Sequence, residues 1–439
     1  MTRQPAIRPR DRDTILQALS AGVVPRTGLR HVQVGRAAEV GALVKDIDRI
    51  TDEGSAIRFV IGEYGAGKTF FLNLVRLIAL ERKLVTLHAD LAPDRRVHAS
   101  NGQARSLYAE AVRNMATRTK PDGGALASIV ERFVTDCVKE GEAMSRSVEQ
   151  VIDSKLAHIQ EHVGGYDYAA VIKAYWRGSE EGDDELKASA LRWLRGEYST
   201  KTEARQKIGV RNIIDDGDIY DALKLLAAFV RLAGYDGILV VFDEMVNLYK
   251  LQSPQARNQN YEQILRMLND VLQGNVASLG FVFGGTPEFL MDPRRGLHSY
   301  QALQSRLAEN TFAANGLVDH SGPVIRLQNL TPEDLLILLA NIRNVFASGD
   351  SSIHLVPDEA LQAFMIHCSQ KVGDAYFRTP RNTIKSFVHL LAVLDQNPGT
   401  DWRTLIGGVE IAQEFDPDAT DDGSGATGGG VDELATLRL

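Results

Sequence analysis

Gly62-Glu63-Tyr64-Gly65-Ala66-Gly67-Lys68-Thr69 stands a seventh of the way along a 439-residue chain and satisfies the pattern G-x-x-x-x-G-K-[ST] at every position. Each part of that pattern has a physical task. The glycines let the backbone curl so that successive amides face an anion, and the helix that follows presents its positive end. A lysine at Lys68 can reach the β- and γ-phosphates of a nucleotide, and the Thr69 hydroxyl can ligate Mg²⁺. Immediately upstream, Ala56-Ile57-Arg58-Phe59-Val60-Ile61 is an apolar run of strand length. Downstream, Phe71, Leu74, Val75, Ile78 and Leu80 recur at helical spacing. Strand, glycine-rich turn and helix form the context in which the motif carries meaning. Gly62, Glu63, Tyr64, Gly65, Ala66, Gly67, Lys68, Thr69 and the adjoining Phe70 are therefore the expected ATP-binding cradle.

A second element belongs with it. Ile238-Leu239-Val240-Val241-Phe242-Asp243-Glu244 is a hydrophobic strand closing on two acids. In that role Asp243 holds Mg²⁺, with Thr69, and Glu244 polarises the attacking water. The alternative is an acidic cap on the following helix. The next apolar strand, Leu279 to Gly284, runs into Gly285-Thr286-Pro287. Thr286 can position the lytic water or can cap the helix that Pro287 opens. Farther on, Arg306 ends a helical segment and is a candidate finger for a neighbouring subunit's γ-phosphate, or a solvent-facing arginine. Arg381, after Thr379-Pro380, falls in the first turn of the last long helix. The helix dipole disfavours a cation there, so an anionic partner is reasonable.

The remaining chain sorts around these motifs. Strands alternating with helices indicate an α/β fold with a mostly parallel sheet. The expected divisions are an N-terminal arm (1–30), a P-loop core (31–91 and 218–326), a helical insertion (92–217), a helical lid (327–411) and an acidic tail (412–439). Breaks within the insertion are expected at Pro121 to Gly124, Gly164-Gly165 and Gly178 to Gly182. Lid helices are expected near 332–347, 357–371 and 380–394. Residues 416–430 have no core-forming content and read as a disordered linker. Val431, Leu434 and Leu437 would align on one side of a short docking helix, or belong to a frayed terminus.

Composition excludes several classes. No apolar run reaches the roughly 18 residues needed to cross a bilayer. Cys137 and Cys368 are isolated, which indicates neither disulfides nor a zinc site. The expectation is a cytoplasmic protein whose only metal is a nucleotide-bound ion. Net charge is −8, but six acids against Arg438 place −5 of it from Asp416 onward. No global basic field for nucleic acid is present.

Val34, Gly35 and Arg36 precede the cradle by about 25 residues within Val32-Gln33-Val34-Gly35-Arg36-Ala37-Ala38-Glu39. Together with the P-loop, the Asp-Glu strand end, the Gly-Thr strand, Ser305-Arg306 and Pro380-Arg381, this element resembles the AAA+/STAND-type ATPases near origin-recognition proteins. The resemblance implies that Val34, Gly35 and Arg36 line the base pocket. A narrower likeness runs from about residue 6 to 411. Val23 to Asp94 and Asn397-Pro398-Gly399-Thr400-Asp401-Trp402 look like the BrxD ATP-binding proteins of BREX phage-defence islands. That resemblance implies ATP-dependent antiviral defence, with self-association, a helicase-like defence protein and DNA as candidate partners. A P-loop ATPase working as switch or motor is the leading expectation. A nucleotide-dependent scaffold or loader with negligible turnover is the alternative, and retention of Glu244 favours the first.

Overall fold

The computed structural model describes residues 7–313, 318–372 and 380–408. The acidic linker, the 431–439 peptide and Thr379 lie outside the described residues.

Five strands form one sheet: β1 (Ser55–Gly62), β2 (Val85–Asp90), β3 (Ile238–Asp243), β4 (Leu279–Gly285) and β5 (Val324–Leu327). Their order across the sheet is β2-β3-β4-β1-β5, and every pairing is parallel. Parallel neighbours need crossover helices, which cover both faces. That is why β1, β3 and β4 are mostly apolar and buried at every residue. β5 is a strand that the sequence reading did not separate. Its four residues are too short to show a period, yet they pair with β1 from Phe59 to Gly62.

Helices Ala37–Thr51 and Lys68–Glu81 cover one face, with Leu43, Ile47, Phe71, Leu72 and Val75 meeting Val60, Leu239 and Val282. The opposite face and the segment 92–217 share one core, in which Tyr108, Phe133, Tyr168 and Phe229 are buried beside Phe59 and Phe281. Six helices form between Gln103 and Ile208. The breaks at Pro121 to Gly124 and Gly164-Gly165 are present, but Gly178 stays inside helix Gly165–Glu181 and only Gly182 ends it. A Cβ on Gly178 would lie 2.8 Å from the Asp183 carbonyl oxygen and 3.1 Å from the Lys187 nitrogen. Gly178 is there for close approach of the next helix and not to stop its own.

One buried ion pair ties sheet to helix. Arg58 on β1 is 6% exposed, and its Nε and Nη2 donate to the Asp46 carboxylate at 2.5 and 3.1 Å. Nη1 also donates to the carbonyl of His320 at 2.9 Å and to that of Gly322. Removing one partner of such a pair strands the other charge, a cost of about 3–5 kcal/mol.

The C-terminal helices Pro332–Phe346, Asp358–Val372, Pro380–Gln396 and Trp402–Gly408 share a separate core. The first opens with a reciprocal capping box between Thr331 and Asp334. Helix Pro9–Ser20 joins this group through Ile15, and Arg12 donates to the Phe346 carbonyl at 2.9 Å while stacking on that ring. Among the described residues, no helix is long and apolar enough to cross a membrane.

Candidate functional site

The β1–helix turn is where the fold concentrates donors. Gly65 and Gly67 adopt φ of 80° and 78°, in the left-handed region that glycine enters at little cost. Gly67 is the N-cap of helix Lys68–Glu81. Lys68 Nζ folds back and donates to the carbonyls of Gly62 (2.8 Å) and Glu63 (2.9 Å). These are carbonyls that a phosphate would displace as the partner of the ammonium.

The Thr69 hydroxyl donates to Oδ2 of Asp243 across 3.1 Å. These two motifs are 174 residues apart in sequence, and the sheet order brings them together. Thr69 and Asp243 offer hard oxygen donors, few in number, which suits a Mg²⁺ that keeps waters and phosphate oxygens as its other ligands. Asp243 is only 7% exposed, and its Oδ1 accepts from the Glu244 amide at 2.8 Å.

Glu244 has φ of 58°, unusual for a residue with a side chain. The chain is over-determined around it: the Met245 amide donates to the Gly284 carbonyl at 3.0 Å, and the Asn247 amide donates to the Glu244 carbonyl at 3.0 Å. The outcome is a carboxylate exposed at the strand end, turned away from the core beside Asp243.

Gly284 on β4 keeps that corner open. A Cβ there would collide with Oδ1 of Asp243 and lie 2.8 Å from Cδ1 of Leu72. Gly284→Ala is therefore expected to displace the Asp243 carboxylate. Affinity for Mg-ATP should fall about 10–100-fold, the usual cost of disturbing a ligand's support. Calorimetric titration with and without Mg²⁺ checks this; the loss should be much smaller when the metal is chelated.

A cavity of about 620 Å³ runs along the P-loop. At one end it is apolar, walled by Val23, Val24, Val32, Val34, Leu338 and Ile384, and Phe70 reaches it from the P-loop helix. Val34 thus lies in the apolar wall of the cavity. Arg36 borders the same space, but its principal contacts are structural: Nη2 donates to the carbonyls of Ala66 (2.7 Å) and Gln328 (2.9 Å), clamping the turn to the end of β5. Burial lowers its pKa. Gly35 and Arg36 both have positive φ, of 60° and 58°, and Gly35 packs against the Asp334 carboxylate. Gly35 is not in the cavity wall.

Arg381 also borders the cavity, with its guanidinium over the Tyr64 ring at 5.8 Å and Nη1 3.3 Å from the Tyr64 hydroxyl. Thr286 and Arg306 are placed elsewhere. Thr286 caps helix Pro287–Met291, its hydroxyl accepting from the Phe289 amide at 3.4 Å. Arg306 ends helix Gln301–Arg306, exposed, and donates to the Ala302 carbonyl at 2.9 Å.

Sequence alone assigns no role to Arg26, Arg76, His88 or Asp90. All four line the cavity. Asp90 pairs with Asp243 in the β2–β3 register, and crowding by protein together with the Asp243 charge raises its pKa although its side chain reaches solvent. Burial, Arg76 and Arg26 push His88 down to about 3, so it is neutral at physiological pH. A signal for them existed: Thr69, Asn73 and Arg76 share one flank of their helix, and His88 and Asp90 share one face of β2.

The family model described as "BREX system ATP-binding protein BrxC/D" matches residues 7–410. No curated protein matches the chain. The match takes in the P-loop, both acids at the end of β3, Arg306, Arg381 and nearly all of the described fold, and on that basis the chain belongs to the BrxC/BrxD family of BREX-system ATP-binding proteins.

Proposed function

We propose that this family member is a Mg²⁺-dependent ATPase of the AAA+ kind, acting in BREX defence as a switch or motor. The observation that carries the proposal is the corner formed by Thr69, Asp243 and Glu244: a metal-holding pair at 3.1 Å with an exposed carboxylate one residue on. A pure binding scaffold needs the first two and has no use for the third. Lys68 and the amides of the cradle bind phosphate charge already present in the ground state. Thr69 and Asp243 would hold a Mg²⁺ whose positive charge would offset the negative charge of the phosphates. Glu244 is placed to accept a proton from the attacking water, and Asp243 to hold the Glu244 amide and the Thr69 hydroxyl in register.

The C-terminal helices act as a lid in this scheme. Arg381, parked on Tyr64 of the cradle, would exchange that aromatic partner for the γ-phosphate, coupling nucleotide state to lid position. DNA or a helicase-like defence protein would read that position, and self-association would complete the site through Arg306.

Steady-state phosphate release by the full chain, with and without duplex DNA, tests the proposal. Release is expected to depend on Mg²⁺ and to rise when DNA or the natural partner is added. ATP binding without release under any of these conditions would instead establish the nucleotide-dependent scaffold.

A further inference from the structure

The cavity does not stop at the space a nucleotide requires. It continues down the flank of the P-loop helix, over the edge strand β2, and reaches two turns beyond Thr69. This extension is walled by Arg26, Asn73, Arg76, His88, Asn114 and Pro121. Its chemistry is unlike that of the apolar end, because two guanidiniums, an imidazole and two amides converge on it.

The Asn114 amide is already engaged, donating to the His88 carbonyl and to the Glu110 carboxylate, each at 3.1 Å, but Arg76 and His88 are incompletely satisfied. Arg76 donates from Nη1 to the Asn73 side chain at 2.9 Å, but its Nε is buried with no hydrogen-bond partner. Nδ1 of His88 is likewise buried and unpartnered. Neither Arg76 nor Arg26 forms an ion pair among the described residues. Asp90 is the carboxylate whose charge acts on Arg76, without an ion pair, and Asp90 also faces Asp243. Arg26 lies close enough that its charge bears on both Arg76 and His88. Bringing like charges together beside buried, unpaired donors is unfavourable unless something compensates them.

We propose that Arg26, Arg76 and His88, with Asn73, form an oxyanion subsite that takes a phosphate group on the metal side of the nucleotide, away from the base. Arginine suits this role because its planar fork matches phosphate geometry. The extension opens towards Asp90, Asp243 and Glu244, where the γ-phosphate would be cleaved. Two sources share the chemistry: the phosphate released by hydrolysis, held on its way out, and the phosphate of a second small ligand. The subsite deepens the proposed ATPase only in the first case; its existence does not require turnover.

The test keeps the two ideas apart. The full-length protein is first saturated with Mg²⁺ and a non-hydrolysable ATP analogue, which fills the cradle up to the γ position. Inorganic phosphate is then titrated against a chloride-matched control and followed by calorimetry. One equivalent is expected to bind. Arg76→Gln should weaken it about tenfold or more, and Arg26→Gln by a similar factor, with analogue affinity unchanged. Arg26 is exposed, so Arg26→Gln tests the idea even if Arg76→Gln unfolds. A single-turnover arm distinguishes the sources. Phosphate release altered relative to bond cleavage in Arg26→Gln marks the product; lost phosphate binding with unaltered release marks a second ligand. No phosphate binding to the analogue-loaded protein, or binding by both variants as tight as the parent's, overturns the subsite. Failure of the analogue itself to bind would count against the ATP site instead.

Discussion

Glu244→Gln is expected to bind ATP as tightly as the parent protein and to lose turnover by about 10²–10⁴-fold, the usual contribution of a positioned general base. The amide preserves size and shape, and nothing in the ground state of the nucleotide needs its charge. Lys68→Ala should behave in the opposite way. Its ammonium meets phosphate charge that exists before any bond breaks, so its loss appears as affinity. At about 1.5–3 kcal/mol for each hydrogen bond to a charged group, ATP binding should fall by about 10–100-fold or more. The two variants therefore separate in a paired experiment: equilibrium nucleotide binding, then single-turnover hydrolysis at saturating ATP. The left-handed backbone at Glu244 adds a control. Glu244→Gly would relieve any strain and stabilise the corner while still abolishing turnover, whereas a structural role alone would leave turnover intact in the relaxed variant. If Glu244→Gln hydrolysed ATP at the parent rate, the carboxylate would be no more than an exposed loop acid.

Much of this site was legible in the sequence because its parts are local. A phosphate cradle is eight consecutive residues, and β3 with its two acids is seven. Each announces its strand and its turn without help from the rest of the chain. The joining of Thr69 to Asp243 was legible by inference, since a strand order that inserts β4 between β1 and β3 still brings both strand ends to one edge. What sequence could not supply was tertiary. β5 is too short to carry a period and exists because β1 offers it an open edge. Arg26 comes from a segment with no regular structure, and only the packing of Pro9–Ser20 against the C-terminal helices brings that segment over the P-loop helix. Thr286 shows the reverse difficulty. The same residue in the same place serves equally as a cap or as a water-positioning group, and pattern alone does not choose between them; here its hydroxyl is occupied as a cap. Gly178 was read as a break because glycine usually is one, whereas its neighbour across the turn demanded closeness instead.

Arg306→Ala is expected to bind ATP normally and to lose hydrolysis by about 10³-fold or more, the range associated with an arginine supplied to a transferring phosphoryl group. The argument begins from where the residue is not. Arg306 does not line the cavity of its own chain; it stands exposed at the end of helix Gln301–Arg306 and donates to the backbone one turn back. If an arginine in that position meets a γ-phosphate, the phosphate belongs to a site on another copy. The flanking surface is consistent with such a contact, since Phe312 and Val318 nearby are exposed apolar side chains. Two consequences follow that a merely structural arginine would not produce. ATP should drive self-association, visible by sedimentation, and Arg306→Ala should weaken it. Mixing Arg306→Ala with Lys68→Ala should restore hydrolysis, because the first lends an intact cradle and the second an intact finger. In an assembly formed at random from equal amounts, some interfaces pair the intact cradle with the intact arginine, and activity should rise with that fraction. The rise should depend on total protein concentration, as an intermolecular site requires. A protein that stays monomeric in saturating ATP, with no activity recovered on mixing, would return Arg306 to the solvent-facing role its exposure also allows.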